Sequence, residues 1–74
     1  MNLSDRKALV SRFITRCNAY ADAQIERYRA ELRDAAGERA VQLERKIDAW
    51  STYKTFNEYT LEELKTTELD EWLE

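Results

Sequence analysis

Seventy-four residues with one glycine, no proline, no histidine and a single cysteine describe one small domain of 8.8 kDa. Twelve Lys or Arg against fifteen Asp or Glu give a net charge of −3 and a pI near 5.0, which lacks the basic footprint usual in nucleic-acid binders. The composition leaves out a Ser/His/Asp set, a zinc or iron–sulfur site, an internal disulfide and a glycine-rich phosphate loop, so neither enzyme chemistry nor a cofactor is expected.

The first predicted helix covers about residues 4–36. Ser4 can cap it, and Asp5 suits the positive end of the helix dipole. Val10, Ile14, Cys17, Ala21, Ile25, Tyr28 and Leu32 recur in steps of three and four, which keeps one helix face apolar. Cys17 lies on that stripe and reads as a small buried hydrophobe. Arg27 and Glu31, one turn apart, suggest a supporting ion pair. Gly37 is the first break and suits a left-handed position at the turn.

The stripe continues through Ala36, Ala40, Leu43, Ile47 and Trp50, and a second helix is predicted over about residues 38–57. Thr60 with Glu63 has the form of a capping box, and Tyr59 with Leu64 that of a hydrophobic staple, so a further short helix is predicted over about 61–73. Thr66 and Thr67 are positioned to interrupt it.

Two architectures compete. Ile14, Ile25, Ala36 and Ile47 fall eleven residues apart, as do Ala21, Leu32 and Leu43, a pattern that one continuous rod can carry. Folding at Gly37 instead makes two limbs of nearly equal length. Phe13, Ile14 and Cys17 then face the region of Phe56 and Tyr59, and Leu3 reaches Leu69 or Trp72. The fold also lays the basic start of the chain (residues 1–33, seven Lys or Arg and four acids) beside its acidic end (residues 58–74, seven acids and Lys65). Such complementarity sets orientation even where single pairs are weak. The expected fold is therefore all-α: a long helical hairpin with a short C-terminal helical segment, dimerising into a helical bundle.

For function, the aromatic residues carry the argument. Trp50, Tyr53, Phe56 and Tyr59 fall within ten positions and cannot all enter one thin core, while Trp72 sits on an acidic amphipathic end. Aromatics of this kind dominate binding hot spots. The leading expectation is a small non-enzymatic regulator or inhibitor that binds another protein through these five residues and also pairs with itself as a homodimer. Small host-targeting inhibitors carried by phages and mobile elements share this economy. One alternative is a dimeric nucleic-acid binder using Arg12, Arg16 and Arg27 on the first helix, against which the acidic balance argues. The other is a structural coiled-coil adaptor. No segment reads as a membrane anchor or leader, and one free thiol fits a cytoplasmic setting.

Overall fold

A computed structural model describes all 74 residues. Two long helices, α1 (Leu3–Leu32) and α2 (Gly37–Leu64), run antiparallel, and a single helical turn, α3 (Asp70–Leu73), closes the open end. The hairpin expected from charge and limb length is formed, and the continuous rod is not.

The cap of α1 is Asn2, two residues before Ser4. Its Oδ1 accepts a 2.8 Å hydrogen bond from the Asp5 N–H. The helix also ends earlier than Ala36. Asp34 and Ala35 donate their N–H groups to the carbonyls three residues back, those of Glu31 and Leu32, tightening the last turn. An acid at a helix C-terminus opposes the dipole, and reversing the chain across the ~8–10 Å between packed helices takes several residues, more than one glycine supplies. Ala36 is extended, and Gly37 opens α2 at φ +60, the left-handed conformation anticipated for it.

The break expected near residue 60 does not occur. α2 continues to Leu64, and the Thr60 hydroxyl donates back to the Phe56 carbonyl at 3.0 Å instead of capping a new helix. A capping interaction is worth ~1 kcal/mol, whereas burying a leucine is worth ~1.5–3 kcal/mol. Continuing the helix carries Leu64 into the core, where it is buried. The interruption comes instead at Thr66 and Thr67. The Thr66 hydroxyl donates to the Glu63 carbonyl and accepts from the Glu68 N–H, leaving only Asp70–Leu73 as the third helix.

Ala21, Ile25 and Tyr28 of α1 and Leu43 and Leu64 of α2 are the five buried residues. The rest of the expected stripe, including Val10, Ile14, Cys17, Ile47 and Trp50, is half-buried along the same seam, except Ala36, which is exposed because the chain leaves the helix there to make the turn. Polar contacts fix the ends. Near the turn, Arg39 binds Glu31 at 2.6 Å, so Glu31 pairs across the hairpin and not with Arg27. At the open end the Lys7 ammonium meets Asp70 at 2.5 Å and donates to the Thr66 carbonyl, while Arg6 donates to the Leu73 carbonyl at 2.7 Å.

The particle is thin, with Cα extents of 51 × 16 × 14 Å. Its 5735 Å² of accessible surface exceeds by roughly 900 Å² the ~4,800 Å² expected of a compact protein of this mass. No helix is long and apolar enough to cross a membrane.

Candidate functional site

The apolar residues left outside the core gather on one side of the hairpin. Seven-residue and three- to four-residue spacings put Leu9, Phe13 and Tyr20 on a single flank of α1, next to its buried stripe. Tyr53, Phe56 and Thr60 occupy the matching flank of α2. The Tyr20 and Trp50 rings meet edge to face with centroids 5.5 Å apart, and Trp50 meets Tyr53 in the same way at the same distance. Those contacts place both flanks on one face. Phe13, Tyr20, Tyr53, Phe56, Tyr59 and Trp72 are between 56 and 83% exposed.

Two concavities mark this face. In the middle of the hairpin, Cys17, Tyr20, Trp50 and Tyr53 border a shallow hollow of about 320 Å³, with Arg16 and Asn57 at its edge. At the open end, Val10 and Leu64 lie within a groove of about 420 Å³ walled by Phe56, Tyr59, Leu69 and Trp72. Its one charged neighbour is Glu63. A smaller depression beside them is formed by Leu9, Arg12, Phe13 and Arg16.

The opposite face is polar. Asp22, Glu26, Arg29, Lys54 and Glu58 surround a hydrophilic depression there. Lys54 binds Asp22 at 2.7 Å, and that hydrogen-bonded carboxylate holds the lysine above its ordinary pKa.

Four of the five expected partner-binding residues (Tyr53, Phe56, Tyr59 and Trp72) are exposed on or beside this face, and Phe56, Tyr59 and Trp72 share one groove. Trp50 differs: it is half-buried and held between Tyr20 and Tyr53 as the inner layer of the face. The arginines proposed for anion contacts are divided. Arg12 and Arg16 share the depression with Phe13, whereas the Arg27 guanidinium lies 5.0 Å over the Tyr28 ring and donates to its hydroxyl. Three arginines spread in this way do not make a continuous cationic track. Cys17 is a free, half-buried thiol beneath the central hollow.

Leu9, Phe13 and Tyr20 were not among the expected site residues. Their common spacing, one flank away from the core stripe, is a sequence signal that could have found them. It is hidden because the stripe accounts for its own positions without them. No group of three or more His, Cys, Asp or Glu side chains is arranged to hold a metal ion. No known family, curated protein or solved structure significantly matches this chain.

Proposed function

We propose that this chain is a small protein-binding regulator, acting by docking its aromatic face and covering a surface of another protein. The carrying observation is the concentration of six largely exposed aromatic side chains on or beside one face of a hairpin that buries only five residues. Aromatics presented on rigid helices lose little conformational freedom on binding, which makes them effective anchors. The groove at the open end has the apolar lining of a helix-in-groove site. Glu63 at its edge, with Glu62, Glu68, Glu71 and Glu74 in the same segment, favours a partner segment that carries positive charge.

The test compares the wild-type chain with Tyr59→Ala/Trp72→Ala as baits in the source cells. Both side chains are mostly solvated, so the substitutions should leave helicity and melting temperature unchanged. The expected result is a protein retained by the wild type and lost by the variant. Equal retention by both would place binding elsewhere and end this reading.

A further inference from the structure

We infer that the first occupant of the aromatic face is a second copy of this chain. Two hairpins lie parallel about a two-fold axis along their length, with α1 of each packed on α2 of the other. The inference rests on the docking reading above and names the occupant.

Area is the first argument. At roughly 150–250 Å² of surface per aromatic side chain, the six exposed rings present on the order of 800 Å². That is about what one partner contributes to a standard stable interface. It also matches the roughly 900 Å² by which the hairpin's surface exceeds that of a compact chain.

Charge is the second argument, and it selects the arrangement. Along the α1 edge of the apolar face stand Arg12 and Arg16, and along the α2 edge stands Glu63. None of the three takes part in an ion pair within the hairpin. Two closed pairings of identical faces are available. With the axis across the hairpin, α1 meets α1 and the arginines confront arginines. With the axis along the hairpin, α1 meets α2, and the arginines of each copy approach the other's Glu63.

Register is the third. Tyr20 stands level with Trp50, and Glu31 with Arg39. At ~1.5 Å per residue, Phe13 is therefore level with Asn57, between Phe56 and Tyr59, and Arg12 with Glu58. About a lengthwise axis each level meets itself. Leu9 and Phe13 of one copy thus reach the groove of Phe56, Tyr59 and Trp72 in the other, with Glu63 five residues, or ~7–8 Å, along the axis from Arg12, within the reach of a long arginine side chain. The polar face, with Asp22, Glu26 and Lys54, offers no comparable apolar area.

Sedimentation velocity across a concentration series tests the pairing. The wild type should move as two chains, at twice 8.8 kDa. Phe13→Asp should be a single chain with unchanged helicity, because Phe13 supports nothing in the core. Arg12→Glu and Glu63→Arg should each weaken pairing about tenfold or more, since symmetry makes every reversal act twice. The two single variants should pair with each other when mixed, and the double variant should regain wild-type pairing. A wild-type chain that stays single at all concentrations overturns the inference. So does a dimer that Arg12→Glu strengthens, as it would with α1 on α1, and so does one indifferent to both single reversals. None of these results touches partner capture through Tyr59 and Trp72, because a monomeric Phe13→Asp chain still presents that groove. Failure of self-pairing and failure of the docking reading are thus read separately.

Discussion

Gly37 holds the only positive φ in the chain, and a Cβ added there would meet nothing within 4 Å. The demand on this position is therefore backbone conformation alone. Gly37→Ala should cost ~1–2 kcal/mol, a fall in melting temperature of roughly 4–15 °C for a domain of this size. Asn, which tolerates the left-handed region, should recover part of it; thermal melts by circular dichroism read both. Lys54 makes a different prediction. Its pKa is raised on folding because the Asp22 carboxylate accepts its hydrogen bond and attracts its charge. A raised base holds its proton more tightly when folded. The contribution is therefore complete below the unfolded lysine range, near ~10.4, and disappears as pH climbs through the folded value. The melting temperature of wild type relative to Asp22→Asn should be higher by a constant amount from pH 7 to 9 and converge above it. A constant difference up to pH 12 would assign the effect to something other than this pair.

At the level of helices, the apolar stripe of α1 was legible because its spacing has one interpretation and Ala21, Ile25 and Tyr28 fill it as read. The hairpin was legible from Gly37 and from opposite charge on the two limbs. What the sequence concealed was a competition. Thr60 and Glu63 satisfy the local rule for a helix start, but α2 gains more by carrying Leu64 into the seam, and threonine serves either outcome by bonding back one turn. Local pattern cannot weigh that long-range gain. The same limit applies to the docking face. Its α2 half could be read from the closeness of Trp50, Tyr53, Phe56 and Tyr59, while the spacing of Leu9, Phe13 and Tyr20 on α1 is masked by the core stripe beside it until the helices are laid side by side. The start of α2 has no side-chain cap. Ala36 adopts cap geometry with no side chain to accept a bond. Ala36→Asp should stabilise the fold by ~0.5–2 kcal/mol, seen as a higher urea midpoint with an unchanged slope.

Taken whole, the hairpin has a radius of gyration of 16.2 Å, where a compact chain of this length would have about 11 Å. A protein this thin has a large share of its surface available to others. Small-angle X-ray scattering should return a two-chain particle whose longest dimension stays close to the 51 Å of one hairpin, apart from side chains. Overlap of the open halves in opposite directions would lengthen it to about 70 Å at ~1.5 Å per residue, so a particle of that length would reverse the proposed arrangement. The unequal placement of the two tryptophans has a practical consequence. Trp50 lies half-buried between two tyrosines, whereas Trp72 stands in water at the mouth of the groove. The chain therefore carries its own fluorescent reporters. Emission from Trp72, isolated in a Trp50→Phe chain, should be red and readily quenched by acrylamide while the groove is open. It should move to the blue and become protected once any occupant, a second copy or another protein, settles there.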